Sequence, residues 1–180
     1  MTQSFPTPPI AERLPAGTYE TEAATDGMPT IRVPAEHLVE VCRQLRDDPA
    51  LLFVVCVDVT AADYLPRQPR YDVVYHLVSP ERRWRLRIRV HTDGTVPSVS
   101  GVWTSTNWQE REVFDLFGIA FSGHPKLERL IMPDDWEGYP LRKDYPVQVK
   151  MPVRTYAPLQ LTEEEFKANV TTDRAERVKR

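Results

Sequence analysis

Hydrophobic and polar positions alternate most cleanly between Arg83 and Val90. Trp84, Leu86, Ile88 and Val90 fall on one side, and Arg83, Arg85, Arg87 and Arg89 on the other. A period of two predicts a strand with one packed face and one row of guanidinium groups. Tyr71 to Val78 predicts a second strand, bounded by Pro66, Pro69 and Pro80. Leu51 to Val59 is almost wholly apolar and predicts a central strand, and Ser98 to Trp103 a short one. The period changes at Leu38, Val41, Cys42 and Leu45. This i, i+3, i+4, i+7 series predicts a helix opened by Pro34 and stopped by Asp47, Asp48 and Pro49. Asn107 to Phe117 predicts another, with Asn107 as cap, Glu110 completing a capping box and Gly118 as C-terminal stop. Short turns between strands favour antiparallel pairing. The expected fold class is therefore α+β, a mostly antiparallel sheet with helices on one face.

Two regions flank this domain, expected over residues 34–122. Residues 1–33 carry Pro6, Pro8, Pro9, Pro15 and Pro29 and few large apolar residues, so a loosely ordered arm is expected, with Tyr19 and Ile31–Val33 adding at most an edge strand. Over residues 123–180, prolines 125, 133, 140, 146, 152 and 158 exclude long regular structure. Yet the stretch holds Leu127, Leu130, Ile131, Met132, Trp136, Tyr139, Leu141, Tyr145, Val147, Val149, Met151, Val153 and Tyr156. An extended chain cannot bury such residues against itself, so this tail must lie on another surface, its own domain or a partner. Thr162 with Glu165 forms a second capping box, opening a short helix.

Composition narrows the chemistry. With 41% hydrophobic and 27% charged residues the chain fits a soluble globular protein, and a net charge of -3 gives no reason to expect nucleic acid or an anionic membrane. Cationic side chains are 18 Arg against 5 Lys, and arginine suits paired and interfacial contacts. Cys42 and Cys56 have no metal-ligand spacing and are expected as buried free thiols. Leu51 to Val57 is far shorter than a membrane span, and no phosphate-binding loop, GxSxG or HExxH motif is present.

The densest charged cluster is Glu110, Arg111, Glu112 and Asp115. Arg111 and Asp115 are i, i+4 neighbours on a helix. The adjacent arginine and a helix N-terminus favour ionised carboxylates, so the cluster is expected to be a structural or interfacial ion-pair network without a raised catalytic pKa. A stand-alone hydrolase using Glu110, Asp115 and His124 is the competing reading, and a nucleic-acid module using the arginine row a weaker one. His124 is expected to bond backbone or a carboxylate. The arginine row is expected to face solvent or a subunit, and the Pro140–Pro146 segment to dock as an extended peptide.

These residues resemble a known family. Trp108 to Ile119 (WQEREVFDLFGI), then Gly123-His124-Pro125, then Glu137 to Pro146 (EGYPLRKDYP) occur in the order and spacing of the C-subunit family of respiratory complex I, the proton-translocating NADH:quinone oxidoreductase. Asp58 to Tyr64, Val73 to Leu77 and Pro97 to Val99 are similar too, and the resemblance runs over about residues 35–150. Glu128 stands where the family usually has a basic residue or proline.

The resemblance implies a cofactor-free structural subunit of the peripheral arm, on the cytoplasmic side of a bacterial inner membrane. FMN and iron–sulfur clusters would sit on partner subunits. The chain would dock on the hydrogenase-large-subunit-like quinone-site subunit, beside the iron–sulfur subunit. Partner contacts are expected from Glu110, Arg111, Glu112, Asp115, His124, Arg129, Arg142, Lys143, Asp144 and Tyr145. No catalytic, cofactor-binding or metal-binding residue is expected. The equivalent subunit of a membrane-bound hydrogenase or formate hydrogenlyase is the alternative.

Overall fold

The computed structural model describes residues 6–146 and 162–178, with backbone only for 171–178. Residues up to 146 form one compact unit, and those after it belong to a second. Val147, Val149, Met151, Val153 and Tyr156 of the apolar tail lie outside the described residues.

The alternating stretches become a five-stranded sheet in the order β1-β2-β5-β4-β3. Its strands are β1 (Glu20–Glu22), β2 (Thr30–Arg32), β3 (Val55–Asp63), β4 (Tyr71–Ser79) and β5 (Trp84–Thr92). Only the β2–β5 pair is parallel, so the sheet is mostly antiparallel as its patterning predicts. Register pairs Tyr75 with Ile88 and Leu77 with Leu86, which collects the apolar residues on one face. Helix α1 (Leu38–Asp47) buries Leu38, Val41, Cys42 and Leu45, the predicted stripe. Burying each such side chain contributes roughly 1.5–3 kcal/mol. Helix α2 (Thr106–Phe117) packs along β3. A small parallel pair, β6 (Thr95–Pro97) with β7 (Ala120–Ser122), brackets α2.

Four expectations change. The stretch read as a loose arm supplies β1 and β2, and Ile10, Leu14, Ile31 and Val33 join the core. Its acidic residues explain why: Asp26 pairs with Arg87, Glu22 with Arg89 and Glu20 with Arg32. Arg87 and Arg89 of the arginine row are thus matched within the chain, while Arg83 and Arg85 are exposed. Second, the run from Leu51 is not a central strand. It enters as loop, with Leu51 and Phe53 buried and Val54 exposed, and continues as the edge strand β3, where Val55 and Val57 are exposed. An irregularity between Cys56 and Asp58 breaks the alternation there. The Phe53, Cys56 and Val57 carbonyls accept hydrogen bonds from Trp103 Nε1, Ser105 Oγ and Gln109 Nε2, which blunts this edge.

Third, Ser98 to Trp103 forms turns; the strand lies just before it, over β6. Fourth, α2 starts one residue early and has no side-chain cap, so Asn107 and Glu110 form no capping box. Gly118 does stop the helix, at φ +72°. The Thr162–Glu165 box forms, with Thr162 N donating to Glu165 Oε2 at 2.9 Å and Glu165 N to Thr162 Oγ1 at 3.3 Å. It opens α3 (Glu163–Val178), longer than the short helix expected.

Candidate functional site

Asp115 faces inward from the last turns of α2, where its carboxylate is fully buried. One oxygen, Oδ2, accepts from the amides of Leu130, Ile131 and Met132 at 3.0, 2.7 and 2.8 Å. The other, Oδ1, accepts from Arg129 at 2.7 Å. Burial works against the charge, but these amides and the Arg129 guanidinium hold Asp115 below the usual carboxylate range. A helix side chain thereby supplies the acceptors that an extended segment cannot find in itself. Arg129 also donates to the carbonyls of Trp136 and Gly138.

Two further anchors follow along the segment. Arg142 donates to the Phe117 carbonyl at 2.5 Å and lies over the rings of Tyr139 and Tyr71. Arg70 bridges the buried Asp63 and the more exposed Asp144, at 2.6 and 2.7 Å. The Lys143 amide adds a hydrogen bond to Asp63 Oδ2 at 2.8 Å. Arg70 draws both carboxylates below their ordinary range, with Asp63 the more affected. Residues 123–146 are thus clamped in extended form along their own domain. Ile131 and Leu141 point outward, 56% and 52% exposed, and Trp108 on α2 is 60% exposed.

Gly118 is where this clamp is tightest. A Cβ added there would overlap the Arg142 guanidinium and the Tyr139 ring. Gly118→Ala is expected to cost roughly 1–3 kcal/mol, from left-handed backbone strain plus displacement of the clamp. A urea midpoint shift accompanied by faster proteolysis near Tyr139 checks this. A shift without new cleavage would place the strain in α2 alone.

The predicted charged network is rewired. Arg111 does not pair with Asp115. It donates to the Glu128 and Arg129 carbonyls at 3.2 and 3.1 Å and stacks on Trp108. Glu112 is exposed, and Tyr145 reaches the Glu137 carbonyl at 3.4 Å. Glu110 departs furthest from expectation. It is fully buried, and burial pushes its carboxyl up to about 7 despite hydrogen bonds from Ser98 and Val99. The expectation of no raised carboxylate pKa fails here because neither Arg111 nor the helix terminus reaches it.

Ser98 Oγ donates to Glu110 Oε2 at 2.5 Å, and Val99 N to Oε1 at 2.7 Å. His124 Nε2 lies 3.9 Å from Glu110 Oε2 but bonds the Asn107 carbonyl at 3.0 Å, while Nδ1 accepts from Lys126 N at 3.1 Å. The backbone bonding expected of His124 is present. A serine, a carboxyl and an imidazole meet here, yet backbone groups occupy both ring nitrogens. Ser98 itself was visible only as part of the Pro97–Val99 resemblance. Asp63 was visible only as part of the Asp58–Tyr64 resemblance, and Arg70, which completes the clamp, carried no pattern of its own.

No group of three or more His, Cys, Asp and Glu side chains placed to hold a metal ion occurs among the described residues. Cys42 and Cys56 are buried free thiols, with Cys56 pushed up to about 12 mainly by burial. No helix among the described residues is long and apolar enough to cross a membrane.

The fold and clamp define a small α+β domain that presents its own extended segment on its surface. Solved structures carry the same fold. A chain of the membrane-bound sulfane sulfur reductase, an archaeal respiratory membrane complex, superposes with a TM-score of 0.62 at 26% identity, covering 77% of this chain and 81% of that one. The C subunit of an NADH-quinone oxidoreductase from Roseiflexus sp. (strain RS-1) is 46% identical over 144 residues, 77% of this chain and 83% of its own. The C 2 subunit of an NADH-quinone oxidoreductase from Rhizobium etli (strain CIAT 652) is 44% identical over 142 residues, 78% of this chain and 75% of its own. Residues 31–150 match the family described as respiratory-chain NADH dehydrogenase, 30 kDa subunit. The chain belongs to that family.

Proposed function

We propose that this chain is a cofactor-free structural subunit of the peripheral arm of an NADH:quinone oxidoreductase. It docks on the hydrogenase-large-subunit-like subunit that forms the quinone site, next to an iron–sulfur subunit, at the cytoplasmic side of a bacterial inner membrane. FMN and iron–sulfur clusters belong to the partners. The observation that carries this reading is the clamp: three family motifs, on α2, the 123–125 turn and residues 137–146, converge to hold one extended segment with Ile131 and Leu141 outward. The chemistry-bearing groups point the same way. Asp115 is saturated by four donors, Glu110 is buried, and His124 has both nitrogens engaged by backbone. None is placed to meet a substrate, which supports a non-catalytic role. The chain then contributes by fixing the geometry of the quinone-site subunit, on which electron transfer and coupled proton translocation depend.

Affinity purification of the tagged chain from native membranes in mild detergent, with activity measured on the eluate, tests the proposal. Recovery of iron–sulfur and hydrogenase-like subunits with NADH:quinone activity is expected. A chain recovered alone would overturn it. The fold shared with a sulfane sulfur reductase chain favours a second reading, an equivalent subunit of a membrane-bound hydrogenase-type complex. Recovery with nickel–iron hydrogenase subunits would select it. Leu141→Asp and Ile131→Asp should each lower recovery of partners at least about tenfold, on the order of 1.4 kcal/mol. The stability of the isolated chain should stay within about 0.5 kcal/mol, as for other surface changes. Undiminished recovery would remove these two residues from the docking surface.

A further inference from the structure

We propose that His124 is a two-position switch set by Glu110: its Nε2–H goes to the Asn107 carbonyl while Glu110 is protonated and to the Glu110 carboxylate once Glu110 ionises, moving the 123–126 turn against α2. This device is intramolecular and does not depend on which complex the chain joins.

Both side chains are fully buried, with Nε2 3.0 Å from Asn107 O and 3.9 Å from Glu110 Oε2. The Lys126 amide donates to Nδ1 at 3.1 Å, so Nδ1 is an acceptor and the neutral ring carries its proton on Nε2. A single N–H must choose between two acceptors. A carboxylate makes a hydrogen bond roughly twice as strong as a neutral carbonyl does, so ionisation of Glu110 reverses the choice once the gap closes by about 1 Å.

The proton balance is simple. Ser98 Oγ donates to Glu110 Oε2 at 2.5 Å when Glu110 is ionised; protonated on Oε2, Glu110 donates to Ser98 Oγ instead, and the Ser98 hydroxyl turns to Ser100 Oγ, 2.7 Å away. On ionisation the proton leaves to solvent and the Ser98 hydroxyl rotates to donate back to Oε2. The Val99 amide stays on Oε1 throughout. The other titratable groups facing Glu110 are Cys42 on α1, Cys56 on β3 and Tyr75 on β4, all raised by burial and so neutral in this range. The nearby Lys126 is exposed and pairs with Glu128. Burial, opposed by the Ser98 and Val99 hydrogen bonds, places the Glu110 carboxyl at about 7, where proton loss falls in the physiological range.

Long-range proton–nitrogen NMR of the histidine-labelled full chain between pH 5.5 and 8.5 tests the switch, with Glu110→Gln as control. The expected result is one transition near neutrality in the His124 nitrogen shifts, with Nδ1 remaining the acceptor of the Lys126 amide through it, and no transition in the Glu110→Gln variant. An unchanged His124 spectrum overturns the proposal. So does a transition in which both nitrogens become protonated, or one that persists in the variant. Should the variant not fold, carboxyl carbon NMR of Glu110 in the native chain decides: its midpoint must coincide with the His124 transition, and separate midpoints refute the coupling.

Discussion

Replacing Asp115 by Ala will release residues 127–146 from the domain and cost about 3–5 kcal/mol of stability, the scale for removing one partner of a buried, paired charge. The size follows from what is stranded. Three consecutive amides, of Leu130, Ile131 and Met132, lose their acceptor, and Arg129 loses its carboxylate. Each unmet buried donor costs about 1–3 kcal/mol, lessened where the freed segment reaches water. Asp115→Asn keeps one carbonyl oxygen but loses the charge, and should fall between the native chain and Asp115→Ala. Urea unfolding of the full chain gives the free energies, and limited proteolysis between Leu127 and Pro146 reports the release. A loss below about 1 kcal/mol with the segment still protected would mean that Arg142 and the Arg70 bridge hold it alone.

The second large effect concerns pH. Glu110 is raised from 4.5 unfolded to about 7 folded. Below about 4.5 both states hold the proton and burial of Glu110 costs nothing in charge. Between the two values the folded chain keeps a proton that the unfolded chain releases, so stability falls as pH rises. Above about 7 the carboxylate is ionised in both states and its contribution levels off. At about 1.4 kcal/mol per pKa unit, the loss across this window is on the order of 3 kcal/mol. Glu110→Gln should flatten that slope. The paired acids oppose it at lower pH: Asp63 and Asp115 are held below their ordinary values, so their contribution is present above the unfolded carboxylate range and lost as pH falls through it. Chemical denaturation of the native and Glu110→Gln chains between pH 4.5 and 8 separates the two. Equal slopes in both chains would show that Glu110 is ionised in the fold throughout.

Much of the site is legible in the residue pattern alone. The 3.6-residue period places Leu38, Val41, Cys42 and Leu45 on one buried face, and the two-residue period places Leu86, Ile88 and Val90 together. Gly118 marks the end of α2 because a left-handed residue ends the helix there, and the Thr162–Glu165 box forms as spaced. The pattern misleads where a local rule meets a distant partner. Glu110 has the spacing of a capping box, yet it faces the core and binds Ser98 and Val99 instead of its own helix terminus. Arg111 and Asp115 have the spacing of an ion pair, yet Asp115 is taken by Arg129 and three amides, which leaves Arg111 to bond carbonyls.

The N-terminal stretch shows the same division. Its prolines and small residues hold too little apolar surface to suggest more than an edge strand, and it pairs because β5 offers a free edge and arginines that match Glu22 and Asp26, while Glu20 pairs with Arg32 within the stretch itself. The run through Val54, Val55 and Val57 misleads in the opposite direction. Hydrophobicity alone cannot tell a central strand from an edge, since strand order is set by which neighbours pair.

The sequence by itself determined the elements with strong periodicity, the absence of long regular structure over residues 123–146, and the family. These are encoded in contacts between near neighbours or in ordered motifs. Only the tertiary structure decided that the extended segment lies on its own domain, that Asp63 and Arg70 anchor it, and that Glu110 alone among the charged cluster is buried with a raised pKa. Those outcomes depend on groups up to 80 residues apart, as for Lys143 and Asp63, and on which carboxylate the fold removes from water.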